Sequence, residues 1–336
     1  MEKQIVTGIL SYGMSGRVFH APFIQTHPSF QLYAVTERTR KKVNERYPEV
    51  ISYSSVEELI NDPKIELVIV NTPNHLHFEH AMLALNAGKH VLIEKPFAAS
   101  AGEAKKLFDL AKKNNCKVMA YQNRRWDSDF QSVRSVIGEG TLGNLIEVHF
   151  RFDRYRTELS PKYFKEQSLP ASGLSYDLGP HLLDQVISIF GKPLSFTKTS
   201  GIFREGSQVD DYLHVHLRYP ENLNVFVTAN LLVAQPLPSF VVHGTKGSYI
   251  KKRTDVQEEQ LDKNISPVDP HYGIEPNGAE GMLVTANADG SFVTHYNTAL
   301  KGNYNRLFDA IANHIRLDKP YPVKEEEIIW QLEILQ

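Results

Sequence analysis

Hydrophobic residues in the first third of the chain come in short, uninterrupted runs: Ile5-Val6-Thr7-Gly8-Ile9-Leu10, Leu67-Val68-Ile69-Val70-Asn71 and His90-Val91-Leu92-Ile93-Glu94. Runs without polar alternation predict strands buried on both faces, as in a parallel sheet. Residues 31–36 and 117–121 read as two further strands. Between the strands lie segments that read as helices, at 17–26, 38–47, 79–87 and 101–114. In the last of these Ala104, Leu107, Phe108 and Ala111 make one stripe. Regular alternation of this kind predicts a doubly wound α/β domain, the Rossmann arrangement.

Near residue 145 the period changes. Segments 146–152 and 213–219 alternate apolar with polar, which predicts half-buried antiparallel strands. Further strands are predicted at 224–229, 239–243 and 248–251, the last two joined by the hairpin signal Gly244-Thr245-Lys246-Gly247. A helix at 177–190, with Leu178, Leu182, Leu183, Val186 and Ile187 on one face, would cover one side of that sheet. Residues 255–291 read as a long polar excursion, and helices at 304–316 and 325–335 follow. The expected architecture is therefore a Rossmann domain over 1–122 and a second α+β domain over 123–336. The second is built on a mostly antiparallel sheet whose other face is solvated or paired with another subunit. The C-terminal helix, 325–336, is a candidate to pack back on the Rossmann domain.

Composition narrows the partners. With 41% hydrophobic and 23% charged residues the chain reads as ordinary globular protein, and its net charge of -2 offers no electrostatic footprint for nucleic acid. No apolar run approaches the ~20 residues of a membrane span. A single cysteine, Cys116, excludes an internal disulfide, and no signal-peptide pattern opens the chain, so the cytoplasm is the expected compartment. Cys116 falls at a helix-to-strand junction and reads as a structural thiol. His214 and His216 share a strand face, but two ligands without a carboxylate do not make a metal site, and none is predicted.

Chemistry begins at Ser11-Tyr12-Gly13-Met14-Ser15-Gly16, directly after the first strand. A strand turning sharply into a helix leaves free backbone N–H groups facing a pyrophosphate, and side chains there would block its approach. Gly13 and Gly16 are the positions that need to be bare, while Ser11 stands where the first glycine of G-x-G-x-x-G is expected. Glu37, at the end of the second strand, is spaced to accept hydrogen bonds from the adenosine ribose, which favours NAD. Arg38, Arg40, Lys41 and Lys42 could instead pair with a 2′-phosphate, although the lysines read as a solvated helix face. The cofactor is NAD or NADP on this reading, with Arg38 the ambiguous residue.

Lys95, at the carboxyl end of the 90–94 strand, sits where open α/β sheets bind ligands, and its ammonium could stabilise a developing alkoxide. Asp177 and His181 are four apart in a predicted helix, the spacing of an oriented base, and histidine titrates near neutrality.

Taken together, Gly13-Met14-Ser15-Gly16 with Phe19-His20-Ala21-Pro22, Thr72-Pro73-Asn74-His75-Leu76-His77, Glu94-Lys95-Pro96, Asn123-Arg124-Arg125 and Asp177-Leu178-Gly179-Pro180-His181-Leu182-Leu183-Asp184 resemble the Gfo/Idh/MocA oxidoreductases. The family includes glucose-fructose oxidoreductase and inositol dehydrogenase. The resemblance runs through nearly the whole chain. It implies bound NAD or NADP, Lys95, Asp177 and His181 as the catalytic set, and dimers or tetramers formed through the open sheet. It also implies cofactor contacts from Ser11, Gly13, Met14, Ser15, Gly16, Glu37 and Arg38, from Thr72, Pro73, Asn74 and His77 around the nicotinamide ribose, and from Glu94, Lys95, Asn123 and Arg124. Two departures stand out: Ser11 replaces a glycine, and Ala171-Ser172-Gly173-Leu174 stands where many relatives have a glycine run. Phe19-His20-Ala21-Pro22 and Asp153-Arg154-Tyr155-Arg156 are most similar to the branch of NADP-dependent scyllo-inositol dehydrogenases.

Trp126, Tyr155, Arg156 and Tyr163 are candidate substrate contacts, because aromatic faces and hydrogen-bonding forks suit polyhydroxylated rings. The expected activity is hydride transfer between nicotinamide and a secondary alcohol of a cyclic polyol or sugar. Two alternatives remain open on the sequence: redox-neutral glycoside cleavage with bound NAD, and a non-catalytic dinucleotide or sugar sensor on the same fold.

Overall fold

The computed structural model describes residues 3–39, 41–162 and 165–336. In chain order these form β1 (Ile5–Ile9), a π-helical turn (Gly16–His20) running into α1 (Ala21–Thr26), β2 (Phe30–Thr36), α2 (Val43–Arg46), β3 (Ile51–Tyr53), α3 (Val56–Ile60), β4 (Leu67–Val70), α4 (His77–Asn86), β5 (His90–Ile93), α5 (Ala101–Lys113) and β6 (Val118–Ala120). There follow α6 (Ser128–Glu139), β7 (Leu145–Asp153), α7 (Leu174–Asp177), α8 (Gly179–Phe190), β8 (Ser195–Gly201), β9 (Tyr212–Arg218), β10 (Asn224–Asn230), β11 (Phe240–Gly244), β12 (Gly247–Lys251), α9 (Gln257–Asp262), β13 (Gly281–Ala286), β14 (Phe292–Asn297), α10 (Asn305–Leu317) and α11 (Glu325–Leu335). Internal contacts divide the chain into one unit of Met1–Asn123, Glu258–Tyr272 and Tyr304–Ile329, and another of Arg124–Gln257, Gly273–Asn303 and Trp330–Gln336. No helix among the described residues is long and apolar enough to cross a membrane.

The first unit is a six-stranded parallel sheet ordered β3-β2-β1-β4-β5-β6. From β1 the chain winds outward to β2 and β3, then returns to the other side of β1 at β4. That reversal between β1 and β4 is where doubly wound sheets open a ligand crevice at their carboxyl ends. All four residues of β4 are buried, as an unbroken apolar run requires. Late segments complete the unit: Phe308 of α10 stacks on Phe23 of α1 at 4.9 Å, and the Tyr321 hydroxyl donates to the Ala120 carbonyl of β6 at 2.8 Å.

Two predicted helices of this unit are altered. Segment 17–26 opens as a π-helical turn and becomes α-helical only at Ala21, next to Pro22, which has no N–H to bond back into the preceding turn. Segment 38–47 shortens to the four residues of α2, because the Glu37 carboxylate takes up the amides of Lys42 and Val43 and starts the helix there. Residue Arg40 lies outside the described residues. Cys116 is buried between α5 and β6, and burial pushes its thiol pKa up, as suits a structural thiol.

The second unit is an eight-stranded sheet ordered β14-β13-β12-β11-β7-β10-β9-β8, antiparallel except for the β7–β10 pair. Its inner face, including Val148, Phe150, Val215, Val227 and Phe240, packs under Phe130 and Val133 of α6 and Leu182, Leu183 and Val186 of α8. The alternate positions, among them Glu147, His149, Arg151, His214 and His216, are half-buried on the outer face, where the three imidazoles gather around Phe226.

Two predictions are corrected here. The helix expected over 177–190 is interrupted at Leu178: Asp177 ends α7 and His181 is the third residue of α8. Pro180 is the cause, since its ring lacks the N–H that a continuous helix would bond to the Tyr176 carbonyl. The polar excursion at 255–291 holds α9 and β13, which pairs with β12 and β14. His214 bonds Thr228 and His216 bonds Asn224 on the sheet face, and no metal-binding group of three or more His, Cys, Asp or Glu occurs among the described residues.

Candidate active site

In the first unit the turn after β1 is built around Asn71, at the end of β4. Its side chain accepts from the Ser11 amide at 2.9 Å and donates to the Ser11 carbonyl at 2.7 Å and the Ser15 hydroxyl at 3.1 Å. The Ser11 hydroxyl in turn accepts from the Gly13 amide at 3.3 Å. Ser11 is not among the residues with positive φ, so the serine does what a glycine would do there and adds a bond. Gly16 has no such freedom: a Cβ would stand 2.1 Å from the Ser11 carbonyl oxygen. The cradle is thus closed to side chains at Gly16 and tight at Gly13, where a Cβ would stand 3.3 Å from the Ser11 hydroxyl, while Met14 is exposed, as a backbone-bound pyrophosphate requires. The residues fit a dinucleotide.

Glu37 stands at the end of β2, held by its own unit. Besides the Lys42 and Val43 amides, at 2.9 and 3.2 Å, its carboxylate accepts from the Ser52 hydroxyl at 2.9 Å, and the residue is only 9% exposed. Three donors from its own unit occupy the group expected to face the ribose, while Arg38 is exposed beside it.

The other strand ends converge on Lys95. Thr72 bonds His80 at 2.9 Å, while Pro73 precedes a 3₁₀ turn at Asn74–Leu76. His77 is buried, with Nδ1 on the Pro96 carbonyl at 2.7 Å and Nε2 on the Thr72 carbonyl at 2.8 Å. Burial lowers its proton affinity below the ordinary histidine value, against the pull of the two carbonyls and Glu94. Glu94 is also buried, and burial opposes its ionisation. A 2.9 Å bond to His20 Nε2, the electrostatic attraction of that ring and the charge of Lys95 outweigh that and hold its carboxyl below the usual range. Lys95, half-buried, follows directly and donates its amide to Glu94 at 3.2 Å. Asn123, buried, is the last residue of this unit's first segment.

In the second unit, Arg124 pairs with Asp127 at 3.3 Å and accepts Gln185 of α8 on its carbonyl at 3.0 Å. Arg125 makes a two-bond pair with Asp184 at 2.7 and 2.8 Å, and Gln331 adds a third donor at 3.0 Å. His181 is buried one turn before Asp184, and Asp177 lies 3.8 Å from Lys165. Tyr176, the neighbour of Asp177, lines a cavity of about 560 Å³ with Ser168, Ser172, Ser200, Gln208 and Asp210. Among the candidate substrate contacts, the Trp126 carbonyl is held by Gln257 and Asn303, whereas Tyr155 and Arg156 are exposed. Tyr163 lies outside the described residues.

The sequence reading gave no role to Asn71, His20, Arg125 or Asp184. Each is a polar residue at a strand end or in a helix that turns out to be buried against a specific partner, and only the last three fell within quoted motifs.

Comparison with known proteins agrees with this geometry. Residues 5–122 match the Gfo/Idh/MocA oxidoreductase family with its NAD-binding Rossmann fold, and residues 130–250 match the Gfo/Idh/MocA C-terminal domain. The uncharacterized oxidoreductase YdgJ of Escherichia coli is 35% identical over 336 residues, covering 100% of this chain and 96% of its own length. The scyllo-inositol 2-dehydrogenase (NADP(+)) IolW of Bacillus subtilis is 34% identical, covering 99% of this chain and 92% of its own. A crystal structure of an oxidoreductase from Bacillus cereus superposes with a TM-score of 0.90 at 33% identity, covering 99% and 95%. With a dinucleotide cradle at the switch point of its first sheet and family matches across both units, the chain belongs to the Gfo/Idh/MocA family of NAD(P)-binding oxidoreductases.

Proposed function

We propose that this oxidoreductase is an NADP-dependent dehydrogenase for a secondary alcohol of a cyclic polyol or sugar, with an inositol-like ring as the substrate class. The observation that carries the cofactor choice is Glu37: its carboxylate is committed to the Lys42 and Val43 amides and Ser52, which leaves exposed Arg38 to meet a 2′-phosphate. The relative IolW is named for NADP and scyllo-inositol, which supports the same assignment. Calorimetric titration of cofactor-free protein with NADPH and NADH tests it. NADPH should bind more tightly, and Arg38→Ala should lower its affinity by roughly 10- to 150-fold, the worth of a charged hydrogen bond, while NADH changes little. Tighter binding of NADH by the unaltered chain would refute the assignment.

The backbone amides around Gly13 and Gly16 would hold the pyrophosphate, and Arg38 the adenosine ribose phosphate. When bound, the nicotinamide takes up hydride from the carbon bearing the alcohol. Lys95 donates a charge-assisted hydrogen bond to that carbon's oxygen and steadies the developing alkoxide. His181 accepts the hydroxyl proton at a ring nitrogen, and Asp177 orients the imidazole or a neighbouring hydroxyl. The hydroxyl-lined cavity beside α7 supports a polyhydroxylated substrate. Net formation of reduced nicotinamide during turnover distinguishes this reading from redox-neutral cleavage, and loss of turnover in Lys95→Ala distinguishes it from a sensor. The outer face of the eight-stranded sheet, with half-buried Phe226 among three histidines, supports self-association as a dimer or tetramer, which sedimentation equilibrium would measure.

A further inference from the structure

His20 ends the π-helical turn that Gly16 begins, so it stands at the cofactor cradle in sequence, yet its side chain reaches across the sheet's carboxyl edge to Glu94. The ring is fully buried and lies 4.5 Å from the Tyr121 ring, whose hydroxyl fixes the Phe19 carbonyl at 3.0 Å. A carboxylate only accepts, so Nε2 carries a proton, while Nδ1 is buried with no hydrogen-bond partner among the described residues. The titratable groups around Glu94 are His20 on the turn, His77 on α4 and Lys95 on its own strand end. The charge of Lys95 favours the Glu94 anion, and the same carboxylate accepts the Lys95 amide at 3.2 Å.

We propose that His20 is a positioning residue for the redox site: by donating to Glu94 it fixes the carboxylate that accepts the Lys95 amide and keeps its negative charge beside the lysine. The inference rests on the reading of Lys95 as the group that steadies the alkoxide. It assigns a task to a histidine that touches neither substrate nor the reacting atoms. It also joins the cradle to the strand-end lysine, since one side chain belongs to the turn and bonds the residue before Lys95. Without the donor, burial would weigh more heavily against the Glu94 anion, with the Lys95 charge left to oppose it.

His20→Phe keeps the ring against Tyr121 and removes the donor, while His20→Gln restores an N–H. Carboxyl ¹³C titration of the full-length, cofactor-free chain, with Glu94 assigned from Glu94→Gln, gives a readout independent of activity. In His20→Phe the Glu94 titration should rise by about one pH unit or more. Its kcat should fall by about tenfold or more, with KM for NADP+ changed by less than about threefold. His20→Gln should restore both. An unmoved Glu94 titration with an unchanged kcat, or equal losses in the Phe and Gln variants, would overturn the proposal. Should His20→Phe fail to fold, Glu94→Gln carries the test, because it keeps the bond to His20 and removes the charge: lost kcat with unaltered melting supports the proposal and unchanged kcat overturns it. Lys95→Ala run alongside separates the two readings. Full turnover there refutes the lysine's role and the proposal with it, whereas lost turnover beside an indifferent His20→Phe refutes the proposal alone.

Discussion

Replacing Asp184 with alanine should destabilise the second unit sharply. Asp184 and Arg125 have side chains 2% and 7% exposed, and Asp184 accepts from Arg125 Nε, Arg125 Nη2 and Gln331 Nε2. Removing the carboxylate leaves a guanidinium buried without its counter-charge, and breaking a buried pair in this way costs about 3–5 kcal/mol. For a unit of this size each kcal/mol moves Tm by about 2–4 °C, so the shift should be roughly 6–20 °C. Trp126 and Trp330 are the chain's two tryptophans and both belong to this unit, so urea unfolding followed by their fluorescence reports on it directly. The double variant Arg125→Met with Asp184→Leu buries no charge and should recover most of the loss. A single-variant cost below about 1 kcal/mol, or a double variant as damaged as the single, would refute the reasoning, because the pair would then behave like a solvent-exposed one.

Other consequences follow from the same contacts. Gly16→Ala should lower NADPH affinity by about 10²-fold or more in calorimetry, since a Cβ 2.1 Å from the Ser11 carbonyl can be admitted only by opening the turn. Ser11→Gly should change that affinity by less than about threefold, whereas Asn71→Ala, which strips partners from both backbone groups of Ser11, should cost about 1–3 kcal/mol in thermal unfolding. Asp127 is buried among Asp255, Asp129, Arg124 and Arg253; burial first and the two acids next raise its pKa well above 3.8. A raised carboxyl binds its proton more tightly folded than unfolded, so its contribution is fully present below pH 3.8 and is lost as pH rises through the folded value. The stability difference between the unaltered chain and Asp127→Asn should therefore move in favour of the variant as pH rises, by urea unfolding at several pH values, and a flat difference would contradict the assignment.

β1, β4 and β5 were legible because they are buried on both faces and read as unbroken apolar runs, whereas β3, three residues with none buried, gave no such run. β8 and β14 were not legible either: they are the edge strands of the second sheet, exposed along much of their length, so Ser195–Gly201 and Phe292–Asn297 carry little burial pattern. α3 did carry a signal, Ser55 followed by Glu58, and in the structure Ser55 accepts the Glu58 amide at 3.2 Å. The break at Leu178 could have been read from Pro180. Motif spacing marked Gly13, Gly16 and Lys95 as candidates because backbone approach and strand ends are local properties, and the structure puts the glycines in the turn after β1 and Lys95 just past the end of β5. Glu37 shows the limit. Its spacing marked it for a ribose, but spacing does not reveal that Ser52, fifteen positions on and brought close by β3, shares its carboxylate. The Arg125–Asp184 and His20–Glu94 pairs are likewise products of tertiary packing between segments far apart in sequence.

The account's central claim is tested most directly by incubating the purified chain with NADP+ and a panel of cyclic polyols, the inositol stereoisomers among them, and following the absorbance of reduced nicotinamide beside product analysis. The expected result is reduction of NADP+ matched one for one by ketone formed from a ring hydroxyl, falling by about 10²-fold or more in Lys95→Ala. Polyol or glycoside conversion without net reduction of the cofactor, or an undiminished rate in Lys95→Ala, would contradict it.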